Sequence, residues 1–289
     1  MTYHKQKDAV ICHYCFSDEP VPVKCPECCS PGISFLGVGT ERMEEDVRAM
    51  FPQYKLLRMD SDTMRGRDSH EKALSAFGRG DIDILLGTQM IAKGLDFPNV
   101  TLVGVLSADT IVNMPDFRAG ERTFQLLCQV AGRTGRGHKG GRVIVQTYNP
   151  EHYSIKYAAL HDYDGFAKKE LEYRKQLYYP PYGRLARIVL RGKKDQDVKE
   201  RAADIAEKLK EAIRLTTGMA QSERYKNKVG ILGPAPAPIA RVKDKYRWHL
   251  IAKADNSEKL RAILKSIENE NRHSKRVQIM IDVDPYMLL

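Results

Sequence analysis

Residues 129–137 read QVAGRTGRG and contain two arginines, Arg133 and Arg136, each of which follows a glycine. A glycine lets a phosphate approach the backbone closely, and an arginine offers paired donors to phosphate oxygens while staying charged at any working pH. If a helix precedes this stretch, Gln129, Arg133 and Arg136 lie on one side of its C-terminal end, because residues three and four apart are neighbours. The pattern is typical of an arginine finger that reaches the γ-phosphate of a nucleotide from outside the main binding loop. A basic loop after a helix is the plainer interpretation.

A second polar segment precedes it at residues 82–96, which read IDILLGTQMIAKGLD. Its apolar start, 82–86, is short and bounded by Asp and Gly, as a buried parallel strand is. Thr, Gln, Lys, Gly and Asp then crowd into the following turn, and loops after the carboxyl ends of parallel strands are where α/β sheets bind ligands. An ordinary strand–loop–helix crossover is the alternative.

Near the N-terminus stand two CxxC pairs separated by nine residues: Cys12 with Cys15, and Cys25 with Cys28. Each CxxC turn can place two thiolates on one metal, so the two pairs predict a tetrahedral zinc site. Disulfides are the alternative, and they are disfavoured because the sequence shows neither a signal peptide nor a long apolar run. Cys29 is expected to be a bystander, and Cys128 is expected to be a small buried hydrophobe in an apolar helix.

The formal net charge of +10 is unevenly distributed along the 289 residues. Basic and acidic residues balance over 1–179, so the whole surplus lies in 180–289. Such a surplus suits a polyanionic partner such as nucleic acid. A solvated basic surface is the plainer interpretation.

Within the basic half, residues 233–248 read GPAPAPIARVKDKYRW. Prolines at alternate positions deny a regular helix and stiffen an extended segment. Basic residues then alternate with aromatic ones, which suits single-stranded nucleic acid because charges follow the phosphates and rings stack on bases. The alternative places Trp248 in the core and the basic residues on the solvated edge of a hairpin. The residues predicted to bind are Arg241, Lys243, Lys245, Arg247 and Trp248.

The expected elements fall into two groups on either side of a proline-rich break at 178–183. The first group alternates strand and helix, which predicts a parallel sheet covered on both faces: strands 33–38, 55–59, 82–86, 100–106 and 142–147, and helices from Thr40 and at 69–78, 117–131 and 152–177. The second group has the ferredoxin-like order βαββαβ: strand 184–191, helix 197–215, strands 229–233 and 246–254, helix 256–269 and strand 276–283. The domain boundaries expected from these patterns are 1–32, 33–178 and 179–289.

The sequences of these segments resemble those of superfamily 2 DNA helicases. Residues 87–109, GTQMIAKGLDFPNVTLVGVLSAD, followed by QVAGRTGRG, look like helicase motifs V and VI. With the cysteine pairs, GVGTERMEEDV at 37–47, YYPPYG at 178–183 and LGPAPAPI with YRWH near the end, they resemble the primosomal protein N′ family of replication-restart helicases. The resemblance implies an α/β fold with one RecA-like helicase lobe, the second of two. That lobe follows an N-terminal zinc-binding segment and precedes a ferredoxin-like α+β C-terminal domain.

The resemblance also assigns roles around ATP and its magnesium ion. Arg136 would contact the γ-phosphate, Arg133 would support the same site or bridge to Gln129, and Gly94 and Asp96 would lie near the ribose. The sequence has no G-x-x-x-x-G-K-[ST] segment, so the P-loop and the magnesium ligands are expected on a first lobe outside this chain. We therefore expect the C-terminal half of a longer protein, without ATPase activity on its own.

The same resemblance gives Thr88, Gln89 and Lys93 the task of coupling the nucleotide to the DNA track. It implies an ATP-dependent 3′→5′ DNA helicase that recognises stalled forks and restarts replication. The implied partners are fork and single-stranded DNA, the single-stranded-DNA-binding protein and other primosome proteins, in the cytoplasm and without a membrane. The family carries four CxxC pairs on two zinc ions, so the two pairs here imply one zinc or none. A non-catalytic, zinc-containing nucleic-acid-binding module is the alternative function.

Overall fold

The computed structural model describes residues 2–4, 9–11, 18–25, 28–31, 40–59, 67–88, 99–132, 140–217, 229–270 and 276–288. The chain divides into two compact units. The lobe unit comprises Pro22–Val112 and Glu121–Phe166, and the C-terminal unit comprises Met1–Val21, Asn113–Gly120 and Ala167–Leu289. The domain boundaries expected from sequence patterns, 1–32, 33–178 and 179–289, stay a prediction. Among the described residues, no helix is long and apolar enough to cross a membrane.

Residues 40–176 alternate strands and helices as expected, with these bounds: α1 Thr40–Met50, β4 Leu56–Met59, α2 Arg67–Arg79, β5 Ile84–Gly87, β6 Leu102–Leu106, α3 Asp109–Val112, α4 Ala119–Ala131, β7 Arg142–Gln146, α5 Tyr153–Ala159 and α6 Tyr163–Gln176. By the division into units, the first two residues of α4 and the part of α6 after Phe166 belong to the C-terminal unit. Parallel pairing is confirmed for β4 with β5 and for β6 with β7. The described strands of this region form two separate two-stranded sheets rather than one. The expected strand 33–38 lies outside the described residues.

Two differences from the expected helices, at the start of α4 and at the end of α5, are explained by local hydrogen bonds. Helix α4 begins at Ala119 rather than at 117, because the Asp116 carboxylate accepts the Arg118 N–H at 2.9 Å and holds a turn there. The expected helix 152–177 is two helices. His161 has a left-handed φ of 53°, and Asp162 N–H bonds back to Tyr157 O at 2.9 Å, which ends α5 as a Schellman motif does.

The C-terminal unit contains a four-stranded antiparallel sheet in the order β11-β8-β10-β9. Its elements are β8 Arg184–Gly192, α7 Asp195–Thr217, β9 Gly230–Val242, β10 Lys245–Ala254, α8 Ser257–Lys265 and β11 Val277–Val283. With chain order βαββαβ, this is the ferredoxin-like arrangement, so that expectation is confirmed. A separate three-stranded antiparallel sheet is formed by β1 Thr2–His4, β2 Ala9–Ile11 and β3 Asp18–Pro20.

Strand β9 is longer than the sequence pattern indicated, since it continues through the prolines to Val242. It lies at the edge of the sheet, where a residue without an N–H costs least because one side of the strand has no ladder partner. Lys243 and Asp244, with φ of 47° and 58°, form the two-residue turn into β10. Positive φ at both positions is the geometry of a tight hairpin turn.

The core of this sheet lies on the face covered by α7 and α8. Apolar residues of α7 recur at helical spacing, including Val198, Ala202, Ile205 and Leu209, and all are fully buried. They pack against alternate residues of the strands, such as Ile188 and Leu250. Apolar residues recur every 3.6 residues along a helix and every two residues along a strand. The apolar side of each helix therefore packs on one face of the sheet.

Candidate functional site

Helix α4 positions the start of the QVAGRTGRG segment. Its buried Phe124 and Leu127 belong to a cluster with Ile155 and Phe166, and the Phe124 and Phe166 rings stack with centroids 4.2 Å apart. Gln129 lies half-buried in the last turn of the helix. The helix is therefore anchored by apolar packing up to the residues that precede the two arginines.

Six of the eight residues assigned to nucleotide or coupling roles lie outside the described part of the chain: Arg133, Arg136, Gln89, Lys93, Gly94 and Asp96. Of the other two, Thr88 is exposed directly after β5, at the carboxyl end of a parallel strand. Thr88 thus occupies the edge where α/β sheets bind ligands. The other assigned residue in the described part of the chain is Gln129, in the last turn of α4.

Asp109 is a residue of this region that sequence reasoning did not single out. One oxygen of its carboxylate accepts the Thr147 hydroxyl at 3.1 Å, and the other accepts the Tyr148 N–H at 3.1 Å. Asp109 is the first residue of α3, three positions after the end of β6, and the other two residues directly follow β7, so the carboxylate links the segments that follow the carboxyl ends of two parallel strands. The only signal in the sequence was its place as the last residue of the motif-V-like segment.

The second cysteine pair lies in a closed turn. Cys25 N–H donates to Ser30 O and Cys29 N–H donates to Cys25 O, both at 2.9 Å. Cys28 is exposed. A tight backbone turn that carries two thiols fits one half of a tetrahedral zinc site. The first pair, Cys12 and Cys15, lies outside the described residues, and the described part of the chain has no cluster of three or more metal-ligating side chains.

The remaining cysteine behaves as a structural residue. Cys128 is partly buried against the cluster around Phe124. Burial raises the pKa of its thiol, so the thiol stays protonated and unreactive at neutral pH.

Trp248 is not available for stacking on a base, which corrects the sequence expectation. Its side chain is only 6% exposed and belongs to the core under α7 and α8. The indole Nε1–H donates to Asp195 Oδ1 at 2.9 Å, which satisfies the buried donor at the first residue of α7. The alternative that sequence analysis kept open, a core tryptophan, is the one observed.

The basic and aromatic residues of β10 also point to different faces of the sheet. Along β10, Tyr246 and Trp248 point to the helix-covered side, so Lys245 and Arg247 point to the other side, because side chains alternate along a strand. Arg241 pairs with the turn residue Asp244 at 3.1 Å, and its guanidinium lies 5.2 Å from the ring centroid of Tyr246, its register partner on β10. Along β10 itself, charges and rings therefore do not lie on one face. DNA binding by Arg241, Lys243, Lys245 and Arg247 stays a prediction.

A partly buried lysine, Lys253, lies on the face of β10 opposite to α7 and α8. Lys253 Nζ donates to Leu177 O at 2.6 Å and lies 4.2 Å from the ring centroid of Tyr179. Burial lowers the pKa of Lys253 to about 8. The contact ties β10 to the chain just after α6.

The chain matches two family models that follow each other along its length. Residues 36–138 match "Helicase conserved C-terminal domain", and residues 175–286 match "Primosomal protein N C-terminal domain". The first range contains both motif-like segments, and the second contains the ferredoxin-like sheet.

Curated relatives match the whole chain. The Replication restart protein PriA of Bacillus subtilis (strain 168) is 49% identical over 292 residues, covering 100% of this chain and 35% of the relative. That of Synechocystis is 42% identical over 95% of this chain and 31% of the relative. The Replication restart protein PriA of Treponema pallidum is 40% identical over 100% of this chain and 42% of the relative. The chain thus spans about a third of the length of the first relatives it matches. By these matches, the chain belongs to the PriA family of replication restart proteins and corresponds to its C-terminal region.

Proposed function

We propose that this chain is the C-terminal half of an ATP-dependent 3′→5′ DNA helicase that recognises stalled forks and restarts replication. The observation that carries the proposal is the helicase match over 36–138, which spans both the GTQMIAKGLD and the QVAGRTGRG segments. The relatives over the whole chain are named for replication restart. Forks, single-stranded DNA, the single-stranded-DNA-binding protein and other primosome proteins are the partners we propose, in the cytoplasm.

In this proposal the lobe supplies the second wall of a nucleotide site. Arg136 places positive charge on the γ-phosphate, while Arg133 and Gln129 hold it in place. The packing of α4 supports this role, because an arginine finger must be held in position before negative charge develops on the phosphate in the transition state. Gly94 and Asp96 lie on the ribose side. The P-loop and the magnesium ligands belong to the other lobe, so this chain alone should not hydrolyse ATP.

Coupling to DNA is assigned to the turn after β5. Thr88, Gln89 and Lys93 follow β5, which pairs in parallel with β4 up to its last residue. In this proposal, a shift of the segment after β5 is transmitted to the DNA track. The surplus of positive charge in 180–289 supports a DNA contact by the C-terminal unit.

Zinc has a structural role in this proposal. Cys25 and Cys28, together with Cys12 and Cys15, would hold the ion through four thiolates. A bound zinc contributes free energy of folding to the segment that holds it. No step of the ATPase or of the DNA transport depends on it.

The test is Arg136→Ala in the full-length protein. Losing an arginine finger costs on the order of 10³-fold in turnover, with ATP binding largely kept, because the charge acts mainly on the transition state. Steady-state ATPase assays on DNA and nucleotide titrations measure both quantities. Arg142→Ala, an exposed arginine at the start of β7, is the matched control and should keep its turnover.

Near-normal turnover of the Arg136→Ala protein would remove this residue from catalysis. If the full-length protein also failed to hydrolyse ATP on DNA, the alternative of a non-catalytic zinc-containing nucleic-acid-binding module would be the better description.

A further inference from the structure

The chain enters the C-terminal unit just before α4 begins. Residues Asn113–Gly120 belong to the C-terminal unit, whereas Glu121 and the rest of α4 belong to the lobe. Three successive residues, Asp116, Phe117 and Arg118, lie immediately before the helix. We call these three residues the entry segment. Each of them contacts another part of the C-terminal unit.

The first and third residues of the entry segment contact the end of the chain. The Asp116 carboxylate accepts the Leu288 N–H at 3.0 Å, and both residues are buried. The Arg118 guanidinium lies 4.1 Å from the ring centroid of Tyr286, which is the geometry of a cation–π contact. The C-terminal end of the chain therefore holds the residues before and after Phe117.

Phe117 packs against the break that follows α6. Its ring stacks on that of Tyr179, with centroids 5.3 Å apart and an interplanar angle of 4°. Tyr179 is buried, and its N–H donates to Arg174 O at 2.8 Å. Because stacked rings have a preferred offset and orientation, this contact restrains both the position and the direction of the Phe117 ring.

A buried ion pair holds a cation beside the same ring. Arg174 Nη2 lies 2.7 Å from Glu170 Oε1, and the two side chains are 13% and 8% exposed. The Arg174 guanidinium lies 5.3 Å from the ring centroid of Phe117. Separating a buried ion pair is costly, so Arg174 is held in place. Phe117 thus packs against two side chains, those of Tyr179 and Arg174, that are themselves fixed.

The other end of α4 leads to the two arginines. Arg133 and Arg136 follow the helix within the segment QVAGRTGRG. The helix has 13 residues, which makes it about 20 Å long at a rise of about 1.5 Å per residue. A helix is a continuous ladder of hydrogen bonds, so a displacement of its first turn is carried to its last turn.

Within the lobe, α4 is held by a second ring stack. Phe124 stacks on Phe166 of α6, with centroids 4.2 Å apart. A rotation of the helix by about 6° around Phe124 would move its last turn, about 10 Å away, by about 1 Å. Packed helices do shift by about 1–2 Å in proteins that switch between states. Contacts at the start of α4 oppose this rotation, because they fix the helix at a second point.

We propose that the entry segment, with Phe117 as its central positioning residue, lets the C-terminal unit set the place of Arg136 for ATP turnover. Misplacing a catalytic group by about 1 Å can cost about 10²-fold in rate. Release of the entry segment should lower turnover and leave ATP binding largely intact, because an arginine finger acts mainly on the transition state. The proposal rests on the proposed function, since it requires an ATPase whose arginine finger is Arg136.

The experiment measures ATP turnover of the full-length protein on DNA. In Phe117→Ala, kcat should fall about tenfold to a hundredfold while the KM for ATP changes by less than about threefold. Phe117→Tyr keeps a stacking ring and should stay within about twofold of the unchanged protein. Tyr173→Ala removes an exposed ring of α6 from the same unit. It is the matched control and should also stay within about twofold.

A double-mutant cycle with Arg136→Ala separates positioning from loss of folded protein. If Phe117 acts through Arg136, Phe117→Ala should lower the rate of the Arg136→Ala protein by less than about twofold, because the two residues act as a unit. Partial unfolding would instead lower both rates by the same factor. Phe117→Leu keeps an apolar side chain without a ring. It should give the same pattern if Phe117→Ala does not fold, as judged by thermal unfolding.

Turnover of the Phe117 variant equal to that of the Tyr173→Ala control would overturn the inference. Equal fold losses with and without Arg136 would also overturn it, and so would a loss confined to the KM for ATP. The proposed function survives these outcomes, because the loss caused by Arg136→Ala is measured separately. Normal turnover of the Arg136→Ala protein would overturn the proposed function and this inference together.

Discussion

Asp116 joins two segments that are distant in sequence, and replacing it should destabilise the C-terminal unit strongly. Its carboxylate is 1% exposed, and it accepts the Arg118 N–H at 2.9 Å on one oxygen and the Leu288 N–H at 3.0 Å on the other. Leu288 is itself 3% exposed in the cluster with Tyr179 and Leu185. The carboxylate therefore fixes the C-terminal segment and the turn before α4 together.

The expected cost follows from the two hydrogen bonds. In Asp116→Asn the amide keeps one acceptor, so it turns an NH₂ group toward the other backbone N–H and leaves that donor unpaired. A buried unpaired donor costs about 1–3 kcal/mol, and each bond to a charged group contributes about 1.5–3 kcal/mol. We expect the free energy of unfolding to fall by about 2–4 kcal/mol.

Urea unfolding followed by Trp248 fluorescence measures this loss. Trp248 is the only tryptophan of the chain and lies in the core of the C-terminal unit, so the signal reports that unit alone. With a slope of about 2 kcal/mol per molar urea, the midpoint should fall by about 1–2 M. Asp204→Asn, an exposed carboxylate on α7, is the control and should change the free energy by no more than about 0.5 kcal/mol.

A double-mutant cycle sharpens the test. Leu288→Ala removes a buried leucine side chain and should cost about 2–5 kcal/mol. Because either change releases the same C-terminal segment, the double variant should lose less than the sum of the two single losses. A midpoint for Asp116→Asn equal to that of the Asp204 control, or strict additivity in the cycle, would refute the reasoning.

The pH dependence of stability should reveal Lys253. Burial lowers its pKa to about 8 from an ordinary 10.5, so the unfolded chain holds this proton over a range where the folded chain has released it. The free energy of unfolding should therefore rise from about pH 8 to pH 10.5 relative to Lys253→Met, in urea titrations of both proteins. A constant difference across that range would contradict the assignment. Metal analysis by atomic emission on chelator-free protein should find one zinc or none. If one is found, it should be lost in Cys25→Ser and Cys28→Ser and kept in Cys29→Ser. Two zinc ions per chain would contradict the prediction of at most one zinc site.

Local patterns alone predicted much of the C-terminal unit. The order of strands and helices, and the placement of α7, follow from apolar residues at periods of two and 3.6. Prolines 234, 236 and 238 indicated an extended segment, and they occupy the edge strand β9. The length of β9 was underestimated, because a proline-rich segment reads as a strand only when an edge position is available to it.

Side-chain capping was harder to see in the sequence. The break at 160–162 depends on His161 adopting a left-handed conformation and on Asp162 accepting the Gly165 N–H at 2.8 Å. Neither Pro nor Gly marks the end of α5, so the apolar periodicity continues across it. The sequence pattern of 152–177 therefore predicts one helix.

By itself, the sequence determined the family, the two motif-like segments and the ferredoxin-like order, since each depends on residue types at short spacing. Only the tertiary structure decided which face each side chain occupies. Trp248 lies under α7 because β10 alternates in a register set by β8, and Arg191 meets Arg247 for the same reason. The bond from Leu288 to Asp116 joins residues 172 positions apart. Such contacts depend on strand pairing and on the free energy of burying apolar surface across the whole unit, so no local window of residues contains them.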